Sequence, residues 1–248
     1  MSETGNGETV ALETVGLSKS FDQLRVLDDI NIKVKSGEFL AVVGPNGAGK
    51  TTWCNVVTGF EPAQAGQVKL HGTAIDHMKP HNRYRAGITR TFQTPRILES
   101  LTLEENVAVS IRVKRGEAIT RARAFLEGLG VEATTTPGHE ASLYERRVVE
   151  LGRAAVNSPD VIVLDEPLAG LRQPEHEAIL GLARRVASDG AAVVIIEHLI
   201  PTIAPVVDRM VVLANTRVLA EGRPNDVLRL PAVIDAYLGQ PMSDGDNL

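Results

Sequence analysis

The chain has 248 residues, of which 43% are hydrophobic and 23% charged, with a formal net charge of -5. That is enough to bury one α/β core with a smaller helical insertion, and the acidic balance disfavours nucleic acid, whose binders carry a basic stripe. No apolar run approaches the ~20 residues of a membrane span, the start MSETGNGETV lacks the pattern of a secretory signal, and the single Cys54 excludes an internal disulfide, so a cytoplasmic protein is expected.

In chain order, a polar tail is expected over residues 1–9, followed by roughly alternating strands at Val10 to Val15 and Ile30 to Val34. The apolar run Phe39 to Val43 leads into GPNGAGKTT, Gly44 to Thr52, which reads as strand, glycine-rich loop and helix. Gly44, Gly47 and Gly49 permit dihedrals that let the amides of Asn46, Gly47, Ala48, Gly49, Lys50, Thr51 and Thr52 wrap a phosphate. Lys50 can reach β- and γ-phosphates, the Thr51 hydroxyl can ligate Mg²⁺, and the helix dipole points its positive end at the same anion. An NTP is the ligand implied. Short strands are expected at Gly66 to His71 and Ile88 to Phe92, making the front section partly antiparallel.

From Thr102 to about Val156 the pattern turns helical. Ala118, Ala122, Phe125, Leu126 and Leu129 share one face, as do Val148, Leu151, Gly152, Ala155 and Val156, with a break at TTTPG, Thr134 to Gly138. VIVLDEP, Val161 to Pro167, is a continuous apolar run like a parallel strand covered on both faces, and it ends in Asp165 and Glu166. Those carboxylates would stand at the sheet edge from which the P-loop departs, one for the Mg²⁺ shell and one to orient a water. Strand, helix, strand and helix are expected to complete a parallel half, with a second polar tail over 240–248. The histidines at 71, 77, 81, 139 and 176 show no metal-ligand spacing.

Together with TGF at Thr58 to Phe60, GITRTFQTPRI at Gly87 to Ile97, IIEH at Ile195 to His198 and VIDAYLG at Val233 to Gly239, these motifs resemble those of ABC-type ATPase subunits. The style is similar to the subunits of branched-chain amino-acid importers. The resemblance covers residues 10–239. It implies a P-loop NTPase fold of the ABC ATPase type, α/β, with a mixed N-terminal β-region, a parallel core sheet and a helical subdomain over about 100–157. It further implies ATP and Mg²⁺ as cofactors, Phe21 stacking on adenine, Gln93 touching Mg²⁺ and the attacking water, Glu166 polarising that water, Asp165 holding Mg²⁺ and His198 contacting the γ-phosphate. The partners implied are transmembrane permease subunits and a second ABC ATPase subunit, at the cytoplasmic face of the membrane. A regulatory subunit that hydrolyses weakly, or a soluble ATPase unconnected with transport, is the alternative.

One motif departs from the family. Its signature, LSGGQ or LSYGQ, is replaced by Ala141, Ser142, Leu143, Tyr144 and Glu145, in a register set by Glu150 and Arg153. Ser142 is retained toward the other subunit's nucleotide, whereas Tyr144 replaces a glycine and is expected to obstruct phosphate. Ser142 and Glu145 form an S-x-x-E capping box in any case. Arg172 stands where the loop after the carboxylates usually has Asp or Asn. These changes weaken only what is offered to the opposing site, which favours a heterodimer over a homodimer.

Overall fold

A computed structural model describes residues 9–132 and 134–238. The expected tails, except Thr9, and Gly239 of the C-terminal motif lie outside the described residues.

The chain opens with a long hairpin, β1 (Val10–Phe21) and β2 (Leu24–Lys35), turning at Asp22 with a φ of 51°. β3 (Phe39–Val43) is buried at every position, and α1 (Lys50–Thr58) follows the glycine loop. β4 (Ala65–Leu70) and β5 (Thr73–Ala74) join the hairpin in a sheet of order β2-β1-β4-β5, antiparallel throughout. This is the antiparallel front section that the sequence led us to expect, with longer strands. α2 (Pro80–Ala86) then leads into β6 (Ile88–Arg90).

Among the described residues three α-helices separate β6 from β7 (Val161–Asp165): α3 (Leu103–Ala108), α4 (Arg115–Gly128) and α5 (Leu143–Ala155). Thr102 with Glu105, and Ser142 with Glu145, close reciprocal capping boxes at the starts of α3 and α5, satisfying amides a helix end leaves orphaned. α6 (Gln173–Ser188), β8 (Ala192–Ile196) and α7 (Ile200–Ile203) follow. The ending differs from the strand and helix expected. β9 (Arg209–Ala214) and β10 (Arg217–Gly222) form an antiparallel hairpin before α8 (Pro224–Val227) and α9 (Pro231–Leu238). Its two-residue turn, Asn215 and Thr216, has φ of 49° and 68°, as a primed turn requires, but lacks the Asn-Gly that announces one.

The second sheet runs β10-β9-β3-β8-β7-β6, parallel apart from β10. Alternate residues feed two cores: Phe39, Ala41 and Val43 pack with α4, α5 and α6, whereas Leu40 and Val42 pack with β1, β2 and Trp53 of α1. Covered on both faces, β3, β7 and β8 are apolar without alternation, apart from Asp165 at the end of β7. The carboxyl ends of four parallel strands, β3, β6, β7 and β8, therefore lie along one edge. They lead into Gly44, into Thr91 to Gln93, into Glu166 and into Glu197 and His198 respectively. This is the edge at which open α/β sheets bind ligands.

Candidate functional site

The loop after β3 has the backbone that the sequence demands. Gly44, Gly47 and Gly49 have φ of 148°, 78° and 94°, where side chains are disfavoured. A Cβ on Gly44 would stand 2.0 Å from the Leu213 carbonyl oxygen of β9, and one on Gly49 2.7 Å from that of Val26 in β2. Gly47 would meet nothing within 4 Å, so its face is open to a ligand. Lys50 is 8% exposed, and its Nζ donates to the carbonyls of Gly44 at 2.6 Å and Pro45 at 3.0 Å. Burial lowers its pKa, while the charges of Glu166 and Asp165 raise it. The loop and the two carboxylates thus share one electrostatic neighbourhood, although β8 lies between their strands. Thr51 is exposed at the start of α1 and Thr52 half-buried.

Asp165 ends β7 almost fully buried, and its Oδ2 accepts from Arg90 Nη2 at 2.8 Å. Burial raises its pKa, against the lowering effect of Arg90. Glu166 steps out of the strand with a φ of 47°, its amide donating to the Ile196 carbonyl at 2.9 Å. A left-handed non-glycine residue at a sheet edge is held there by its surroundings and is common where geometry serves function. Gln93 Nε2 donates to Glu166 Oε2 at 2.6 Å, so these two expected residues meet directly. His198 follows β8 with its ring half exposed, Nδ1 3.7 Å from Glu197 Oε2. Phe21 ends β1, 43% exposed, with Lys19 Nζ 4.8 Å from its ring centroid.

Several groups that position these side chains carry no sequence role above. Glu197 is fully buried and accepts the amides of Leu168 at 2.9 Å and His198 at 3.2 Å, fixing the chain on both sides of the edge. Arg147 of α5 donates to the carbonyls of Phe92 at 2.9 Å and Gln93 at 2.7 Å, binding the helical region to the Gln93 loop. Arg90 and Glu197 stood inside quoted motifs. Arg147 had only its place on the buried face of an amphipathic helix to announce it.

Ser142 is exposed, but its hydroxyl and its amide both donate to Glu145 Oε2 at 2.8 Å. The Tyr144 ring is half-buried against the core, beside Glu175 and Arg185 of α6. The Tyr144 ring packs inward, and the group engaging Ser142 is the Glu145 carboxylate. Arg172 is held by Glu175, whose Oε1 accepts its Nη2 at 2.7 Å. No group of three or more His, Cys, Asp or Glu suited to a metal occurs among the described residues. The side chains expected to hold Mg²⁺, Thr51, Gln93 and Asp165, are hard-oxygen donors, the kind suited to an ion that keeps its waters and takes its other ligands from phosphate.

Against known proteins, a family model described as "ABC transporter" matches residues 27–169. A probable branched-chain amino acid transport ATP-binding protein LivG of Archaeoglobus fulgidus is 32% identical, covering 94% of this chain and 97% of its own. The high-affinity branched-chain amino acid transport ATP-binding protein BraF of Pseudomonas aeruginosa is also 32% identical, over 92% and 98%. Among solved structures, a nucleotide-free ATP-binding cassette from an ABC transporter superposes with a TM-score of 0.86 at 30% identity, covering 93% of this chain and all of the other. The ADP conformation of an ATP-binding cassette of an ABC transporter gives 0.86 at 31% identity, over 93% and 99%.

Proposed function

The chain belongs to the ABC transporter family of ATP-hydrolysing cassettes, and from that premise we propose that it is the cytoplasmic ATPase subunit of an importer of branched-chain amino acids or related small polar solutes. The observation that carries the ATPase part of this reading is the Gln93 to Glu166 contact beside a cradle already bent for phosphate, and the importer part is supported by the likeness to branched-chain amino acid transport ATP-binding proteins. Nucleotide would sit on the amides of Asn46 to Thr52, with Lys50 exchanging its loop carbonyls for phosphate oxygens and Phe21 offering a ring to the adenine. Thr51 and Asp165 would hold Mg²⁺, which neutralises charge on the phosphates. Glu166 orients and polarises water with Gln93 across from it, and His198 reaches the γ-phosphate from the end of β8.

Transport needs a partner, and no helix among the described residues is long and apolar enough to cross a membrane. A groove of about 580 Å³ opens between α2, α3 and α5, lined by Phe60, Tyr84, Phe92, Val109, Arg96 and Arg112. An apolar floor with cationic edges fits a short cytoplasmic helix of a permease carrying a carboxylate. Phe92 adjoins Gln93, so docking and water orientation share one loop. The Ser142 to Glu145 contact supports a second subunit of different sequence. Here the hydroxyl left for the partner's γ-phosphate is committed to a carboxylate that repels it.

Two variants test the reading. Glu166→Gln keeps ATP affinity while turnover falls by about 10²-fold or more, the contribution of a positioned base. Lys50→Ala weakens ATP binding itself by about tenfold or more, the loss of charge-assisted contacts. Full hydrolysis by the first, or undiminished affinity in the second, would remove these residues from their roles.

A further inference from the structure

Arg90 is a nearly buried cation that none of the steps above employs. Its side chain is 8% exposed, and Asp165, its ion-pair partner, 6%. It ends β6, one strand over from β7, and every nitrogen of its guanidinium is engaged. Nη2 donates to Asp165 Oδ2 at 2.8 Å, Nη1 to Asn55 Oδ1 at 2.8 Å and Thr58 Oγ1 at 3.2 Å, and Nε to the Thr91 carbonyl at 3.3 Å. The planar group also lies against two rings, 5.2 Å from the Phe60 centroid and 4.7 Å from that of Phe92, which meet edge to face at 5.8 Å.

The elements so joined are those that carry the oxygens expected to hold magnesium. Asn55 lies four residues after Thr51 on α1, one turn along the same face. A bond from Arg90 to Asn55 therefore fixes the face that bears the Thr51 hydroxyl, and the bond to Asp165 fixes the carboxylate. Arg90 takes Oδ2 and leaves Oδ1 for the hydration shell of a cation. Only a planar fork can bind an amide, a hydroxyl and a carboxylate at once; an ammonium is a point charge.

We infer that Arg90 is a positioning residue for divalent-cation binding, setting the separation of Thr51 and Asp165 through its bonds to Asn55 and Asp165. The inference rests on the proposed roles of those two ligands. Phe60 and Phe92 also wall the groove, so one guanidinium separates that surface from the carboxylate.

The test measures two affinities on the full chain. Nucleotide binding is read in EDTA with a fluorescent ATP analogue. Manganese binding to the nucleotide-loaded protein is read from the paramagnetic resonance of free Mn²⁺. Arg90→Lys keeps the charge and loses the fork. It is expected to bind nucleotide without metal within about twofold of wild type while manganese affinity falls about tenfold, the usual cost of removing a group that orients a metal ligand. Asn55→Ala, which leaves Asp165 paired, moves manganese affinity the same way by about threefold and decides alone if Arg90→Lys does not fold. Unchanged manganese affinity overturns the inference, as does a metal-free nucleotide affinity that falls by the same factor. A wild-type protein that binds no nucleotide in EDTA, or binds manganese equally without it, overturns the site assignment itself.

Discussion

Glu150 offers a prediction whose size comes from the structure. It lies on α5, 5% exposed, with Oε1 accepting the Phe92 amide at 3.0 Å. Oε2 is buried without a hydrogen-bond partner, and the nearest guanidinium nitrogen, Arg147 Nη1, is 3.9 Å away. Burial pushes its pKa from 4.5 to about 7, despite the opposing pull of the Phe92 amide and Arg147. Between those values the native protein binds more protons at this site than the unfolded chain, so stability falls as pH rises. The contribution is fully present below about 4.5 and lost above about 7. At ~1.4 kcal/mol per pH unit the whole effect is about 3 kcal/mol, of which about 2 kcal/mol falls between pH 5.5 and 8.5. Glu150→Gln keeps the acceptor for Phe92 and removes the titration. Thermal unfolding of nucleotide-free protein at constant ionic strength should show the variant gaining about 4–8 °C on wild type across that range. Reading the change with pH cancels any fixed cost of the amide. Parallel curves for the two proteins would show that Glu150 is ionised throughout, and that its burial is relieved by water or by Arg147.

Two glycines of the cradle should separate by their surroundings. Gly44→Ala drives a methyl into the Leu213 carbonyl, so it should cost at least about 3 kcal/mol in urea unfolding, whereas Gly47→Ala, with open space around it, should cost only about 1 kcal/mol. In the assembled transporter, Glu145→Gln frees the Ser142 hydroxyl from a carboxylate, and combined with glycine at 143 and 144 it should raise the ATPase rate; no gain would count against two unequal sites. Arg112→Glu reverses a charge on the groove lip and should abolish co-purification with the permease while ATP affinity stays within about twofold, because a rim charge acts on its partner and not on the P-loop.

What was legible in the sequence is what local chemistry dictates. The glycines after β3 could only be a bent cradle, and their φ values agree. The apolar run before Asp165 could only be a strand covered on both faces, and β7 is buried throughout. Ser142 with Glu145 closes the capping box that their spacing announces. The terminal hairpin escaped because Asn215 and Thr216 supply the positive φ of a primed turn without its glycine. The direction of the Tyr144 ring escaped for another reason: a motif gives the place of a residue but not the neighbour it packs on, and here α6 lies within reach.

The two arginines that sequence reading left without a role share one property: each binds a partner far away in the chain. Arg90 binds Asp165 across 75 residues and Arg147 binds Gln93 across 54, whereas Gly44 and Lys50 act within one loop. A P-loop needs only its own backbone, so selection for it is written in consecutive letters. Holding a carboxylate against a neighbouring element needs a long, rigid side chain from elsewhere, and a lone arginine in a sequence has many bland explanations. Burial decides between them. An arginine on the surface is solvated, but one at 8% exposure with every nitrogen engaged has exchanged water for a fixed geometry. That exchange is retained where the position of the partner, more than its charge, is what matters. The sheet edge therefore divides into residues announced by motif, such as Lys50, Gln93 and Asp165, and buried cations bonded to them, such as Arg90 and Arg147, visible only once the chain is folded.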